Sequence, residues 1–111
     1  MVSEFIDLMA PRWNGKGERP RGLLPVPPEV EAAIAKEEAR LAREKNIVMT
    51  PEARQRAINA WTLEYYYDGH YVACRDTMQG VEVLAVGLEE IGPLLREKSQ
   101  EELLTIRVTV G

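Results

Sequence analysis

The stretch YYYDGHYVACRD, residues 65 to 76, holds all four tyrosines, the single histidine and the single cysteine of the chain. A cysteine and a histidine could act as nucleophile and base, or serve as two ligands of a zinc ion. Their spacing argues against both. If HYVACRD forms a strand, His70 and Cys74 share one face but stand about 13 Å apart at roughly 3.3 Å per residue. Asp68 reaches His70 only across a turn. The chemistry-bearing residues therefore read more simply as structure: Cys74 is a small buried apolar group and His70 a polar residue at a strand edge. Paired acids and bases, a glycine-rich phosphate loop and a metal-ligand constellation do not occur elsewhere. The sequence thus suggests no catalytic, cofactor-binding or metal-binding residue, and it argues against an enzyme.

The elements that would hold this stretch follow from periodicity. Asp68 and Gly69 break a preceding helix, and the strand after them sets Val72 and Cys74 on one face against Tyr71, Ala73 and Arg75 on the other. DTMQG supplies a turn, and VEVLAVG is a returning, almost wholly apolar strand ending at Gly87. LEEIGPLLREKSQEEL then reads as a helical connection that Gly92 and Pro93 should kink or split. LLTIRVTV has the clearest period-2 pattern, with Leu104, Ile106, Val108 and Val110 facing in and Thr105, Arg107 and Thr109 facing out. This ββαβ unit gives a three-stranded antiparallel sheet in which the last strand lies beside the first, order 3-1-2.

Two helices precede it. PEVEAAIAKEEARLAREKN has Pro28 near its start, acids in the first turn and bases in the last, with a thin apolar stripe of Val30, Ile34 and Leu41. TPEARQRAINAWTLEYY starts at Thr50 as N-cap and Pro51 as first helical residue, and its inner face reads as Ala57, Ile58, Trp61 and Tyr65. The expected fold class is α+β: two N-terminal helices over 29–66, then the ββαβ unit over 68–111, in one small domain.

Residues 1–28 differ in kind. Pro11, Pro20, Pro25, Pro27 and Pro28, with Gly15, Gly17 and Gly22, preclude a lasting helix or a central strand, so this segment reads as an extended arm. Arg12, Lys16, Arg19 and Arg21 against Glu18 give residues 11–28 a charge of +3, whereas residues 29–111 carry −5. Phe5, Leu8 and Trp13 are apolar anchors in a polar setting. They suit an arm that orders against a second protein chain or against its own domain, with Arg12, Arg19 and Arg21 as the accompanying charges.

At 111 residues, 45% hydrophobic and 29% charged, the composition is that of one small soluble domain. One cysteine leaves no internal disulfide and makes a reducing, cytoplasmic compartment the expectation. The opening MVSEFIDLMA lacks the basic start of a secretory signal, and no stretch approaches the roughly 20 apolar residues of a membrane span. An acidic body with a net charge of −4 overall argues against general affinity for nucleic acid.

YYDGHYVACRD, followed by VLAVG running into LEEI and a final apolar strand, resembles the small ββαβ domains of unknown function in bacteria and archaea. Their pattern is an aromatic-x-Gly-x-Tyr-Val-Ala strand, a Gly-ended strand and an acidic helix start. The layout is also similar to HicB-type antitoxins, whose sheet binds a partner protein, although no DNA-binding segment follows the sheet here. The resemblance covers residues 65–111 and implies a fold without a mechanism. LLPVPPEVEAAI and MTPEARQRAINAW are similar to ribbon-helix-helix repressors, but Pro25 and Pro27 remove ladder donors from the supposed ribbon and the first helix is long for that motif. The function expected from sequence is a non-catalytic protein-protein interaction module or accessory subunit. It would bind another chain, or a second copy, through the arm and the sheet edge. A ribbon-helix-helix-like DNA-binding regulator or antitoxin is the alternative.

Overall fold

The computed structural model describes Trp13 and residues 17–111, and it shows a mixed α+β fold. Strand β1 (Gly22–Leu23) leads into helix α1 (Pro28–Arg40), which continues as a π-helical turn over Leu41–Lys45. Helix α2 (Pro51–Tyr67) returns beside it. The hairpin of β2 (Tyr71–Thr77) and β3 (Gly80–Val86) follows, then α3 (Leu88–Glu97), α4 (Gln100–Leu103) and β4 (Arg107–Val110). No described helix is long and apolar enough to cross a membrane.

Local signals explain most boundaries. Pro28 opens α1 with Glu29 and Glu31 in its first turn, where the helix dipole favours negative charge. Asn46, in the left-handed conformation at φ 56°, closes the π turn with its N–H on the Leu41 carbonyl. Thr50 caps α2 by accepting the Ala53 N–H at 3.1 Å. Gly69, at φ 82°, turns the chain out of α2 and into β2.

The sheet order is β1-β3-β2-β4, antiparallel throughout. The 3-1-2 arrangement of the last three strands is present, but the expectation of three strands is corrected to four. The extra strand comes from the segment read as an arm: Gly22 pairs with Val83 and Leu23 with Glu82, and the Leu24 N–H reaches the Val81 carbonyl at 3.0 Å. Proline excludes a central strand but not an edge one, and β1 is an edge two residues long. A strand therefore precedes the two N-terminal helices.

Each face of the sheet has its own core. On one, Val72, Cys74, Val81, Val83 and Val86 pack with Leu24 against Leu63, Tyr66 and Tyr67 of α2. On the other, Ala73 and Ala85 meet Ile91 of α3, with Leu94, Leu95 and Ile106 at the margin. A third cluster joins the helices through Val30, Ile34 and Ile58, and an Arg54–Glu38 ion pair at 3.1 Å spans them.

Three expectations shift. The buried face of α2 is Ile58, Asn59, Thr62, Leu63, Tyr66 and Tyr67, so Trp61 is turned outward and remains 38% exposed. The cause is polar: Asn59 accepts from Gln55 Nε2 at 2.9 Å and donates to Asp76 Oδ1 at 3.2 Å, which draws it under the β2–β3 turn. The hairpin-to-β4 connection divides after Glu97 and not at Pro93, which lies within α3. Ser99 starts a new helix there by a reciprocal capping box with Glu102. Finally, β4 begins only at Arg107, and Leu104 lies outside it, 88% exposed.

Candidate protein interface

Two surfaces concern the sequence-derived residues, the N-terminal segment and the β4 edge. Phe5, Leu8 and Arg12 lie outside the described residues. Trp13, Arg19 and Arg21 are brought together on their own domain. The Trp13 N–H bonds the Tyr66 carbonyl at 2.9 Å, and its ring stands edge-on to Tyr67 and to His70, 4.7 Å from the latter. The Arg19 guanidinium lies 4.8 Å over the Trp13 ring, donates to the Val86 carbonyl at 2.6 Å and pairs with Glu89 and Glu90. Arg21 bonds Glu90 at 2.7 Å.

Glu90 is held down to about 2 by the Arg21 hydrogen bond first, and further by the Val86 N–H and by the positive charge of Arg21 and Arg19. The Glu90 carboxylate thus accepts the N–H of Val86, the residue before Gly87, the N-cap of α3. Farther along, the hydroxyls of Tyr67 and Tyr66 donate to the carbonyls of Pro20 and Pro25. Trp13, Arg19, Pro20, Arg21 and Pro25 thus all make contacts within the chain's own domain.

His70 and Cys74 are separated by their settings as well as by distance along the chain. His70 stacks on Trp13, whereas Cys74 is fully buried between the sheet and α2, where burial pushes its thiol up to about 11. Among the described residues no group of three or more His, Cys, Asp or Glu is placed to hold a metal ion.

The β4 edge is different. Tyr71 faces Val110 and Ala73 faces Val108 across the β2–β4 ladder, so these side chains share the sheet face that α3 covers. Helix α3 reaches Ala73 and Ile106 but stops short of the edge. Tyr71, Val108 and Val110 remain 47%, 45% and 51% exposed. The expectation that Leu104, Ile106, Val108 and Val110 face inward is corrected on this point: the alternation is real, but among the described residues only Ile106 finds a covering partner.

On the opposite face of the same edge, Arg107 pairs with Asp76 at 2.7 Å, which holds the Asp76 carboxyl below its ordinary value. A groove of about 260 Å³ runs there between α2 and β4, lined by Trp61, Glu64, Arg107, Thr109 and Val110 among others. Tyr71, Val108, Val110 and Trp61 were not singled out as binding residues by sequence reasoning. Their signal was the 3-1-2 order itself, which already placed LLTIRVTV at an edge.

No family model matches the chain, and no curated protein or solved structure matches it significantly.

Proposed function

We propose that this chain is a non-catalytic protein-interaction module that engages another polypeptide strand through the open edge of β4. The observation that carries this reading is an edge strand whose apolar side chains, Val108 and Val110, stand half-exposed beside Tyr71. Soluble proteins blunt such edges with lysine, proline, bulges or a covering element. RVTV contains no lysine or proline, and its one charge, Arg107, is tied to Asp76. Added strands of this kind gain affinity from main-chain hydrogen bonds and specificity from alternate side chains.

The DNA-binding alternative has weaker support. It needs the segment around residues 21–26 to form a ribbon with a second chain, whereas Gly22 and Leu23 pair with β3 of the same chain, and Arg19 and Arg21 are engaged by Glu89 and Glu90.

The test compares native capture by the wild-type chain and by Val108→Lys, which puts a charge on the edge at a half-exposed position. A protein held by the wild type and lost by the variant supports the reading. Equal retention by both overturns it.

A further inference from the structure

The edge of β4 fits one strand whose sequence and geometry are both known, namely β4 itself. We propose that two copies of this chain pair antiparallel through β4, about a two-fold axis normal to the sheet at Val108, to make one continuous sheet of eight strands. The proposal rests on the sheet-edge reading above and names its occupant.

The backbone polar groups of β4 face alternately inward and outward. Gly111 gives its N–H to the His70 carbonyl at 2.9 Å and accepts the Gly69 N–H at 3.0 Å, so its polar groups face the β2 side. Along a strand this direction alternates. Arg107 and Thr109 therefore also point toward β2, and Val108 and Val110 point their N–H and C=O groups outward. With the axis at Val108, that residue exchanges both of its bonds with the partner's Val108. The Val110 N–H then meets the carbonyl of the partner's Ile106. The Ile106 N–H is already spent on the Leu103 carbonyl, so this outer pair forms one of its two possible bonds.

Side-chain direction agrees with the same register. An axis normal to the sheet keeps each face continuous, so Val108 lies against the partner's Val108 and Ile106 against the partner's Val110. The apolar strip beside Tyr71 then extends across both copies. A shift of one residue would set Val108 against Thr109, an outward backbone against an inward one, and would break both agreements.

Charge acts differently at long range and at the edge. Each copy has a net charge of −4, so two chains repel at long range. At the edge itself, however, Arg107 and Arg75 are matched by Asp76 and Glu82 within each copy. The proposed register also sets Arg107 opposite the partner's Thr109, at the groove that holds Glu64 and Trp61. No like charges face each other across the seam, because Arg107 stays paired with Asp76 of its own copy and stands opposite the partner's neutral Thr109. A strand this short buries less than the roughly 1,200 Å² of a standard stable interface. The dimer should accordingly be concentration-dependent.

Sedimentation velocity of the full chain from about 1 µM to about 1 mM spans the range expected for so small an interface. The expected result is a reversible monomer–dimer equilibrium that Val108→Lys shifts at least tenfold toward monomer, with circular dichroism and melting temperature unchanged. A second readout fixes the register. Val108→Cys should oxidise to a cross-linked dimer, because hydrogen-bonded partners sit about 5.5 Å apart at Cα, within disulfide range. Val110→Cys should not, since it faces the partner's Ile106. Cys74 is buried and does not compete.

A chain that stays monomeric throughout, or a dimer indifferent to Val108→Lys, overturns self-pairing. If the chain is monomeric and still captures a different protein in a Val108-dependent way, self-pairing fails while the sheet-edge reading stands. If neither association depends on Val108, both fail.

Discussion

Replacing Leu24 by alanine tests whether the N-terminal segment is part of the fold. Leu24 is 3% exposed and packs with Leu63, Tyr66 and Tyr67 of α2 and with the strand valines, whereas its neighbour Leu23 is 53% exposed. A buried Leu→Ala change removes the transfer free energy of the side chain and leaves a cavity, costing about 2–5 kcal/mol. The lower half of that range applies here, because Leu24 sits near the sheet margin where β1 can settle inward. A loss of about 3 kcal/mol lowers the melting temperature of a domain this size by about 10–15 °C and the urea midpoint by about 1–2 M. Leu23→Ala keeps the same backbone and loses a half-exposed side chain, so it should cost less than about 1 kcal/mol. Urea unfolding followed by tryptophan fluorescence and far-UV circular dichroism measures both. Equal, small effects for Leu23→Ala and Leu24→Ala would refute the docking of this segment and return residues 17–27 to the role of a free arm.

Two further outcomes follow from the electrostatics and the burial. Glu90 has a folded pKa of about 2, below its unfolded value, so its contribution is fully present above about pH 4.5 and is lost as pH falls toward 2. Discounted for the partial exposure of its side chain, this amounts to about 1 kcal/mol. Glu90→Gln should flatten the acid limb of the stability profile, and an unchanged limb would count against the Arg21–Glu90 pair as its origin. Cys74, buried and with its thiol pushed up to about 11, should react with a disulfide reagent at pH 8 only after denaturant is added. Rapid stoichiometric labelling of the native chain would show that the sheet does not enclose it.

The sequence made the hairpin, its turn and the caps of α2 legible, because these depend on neighbours: Thr50-Pro51, Asp68-Gly69 and the alternation of Val72 and Cys74. It misjudged what depends on distant partners. The stripe of α2 was read through its apolar residues, yet Asn59 and Thr62 are buried because Asn59 reaches Asp76 and Thr77 across the fold, and Trp61 is turned outward as a result. Pro93 looked like a break, but the break came where Ser99 and Glu102 cap each other. The arm residues Trp13, Arg19 and Arg21 have types that suit either a partner or the chain's own domain. In the structure Trp13 meets Tyr67, and Arg19 and Arg21 pair with Glu89 and Glu90, contacts that local sequence does not encode.

The two edges of the sheet are treated in opposite ways, and this bears most directly on function. On one side β1 caps β3 with a strand of two residues, followed by Pro25 and Pro27 and pinned through Arg19 and Arg21. Proline lacks the N–H that an added strand would need, so this edge resists extension. On the other side β4 presents half-exposed valines and, among the described residues, has no such device. Arg19 and Arg21 therefore help to hold the β1 edge in place, whereas the valines of β4 expected in the core stand half-exposed. This inversion separates two kinds of variant. Leu24→Ala should weaken folding while leaving the β4 edge able to associate wherever the chain remains folded, and Val108→Lys should abolish association while leaving stability intact. A variant at either position that alters both properties together would show that the two edges are not independent, and that association is needed to hold β4 against β2.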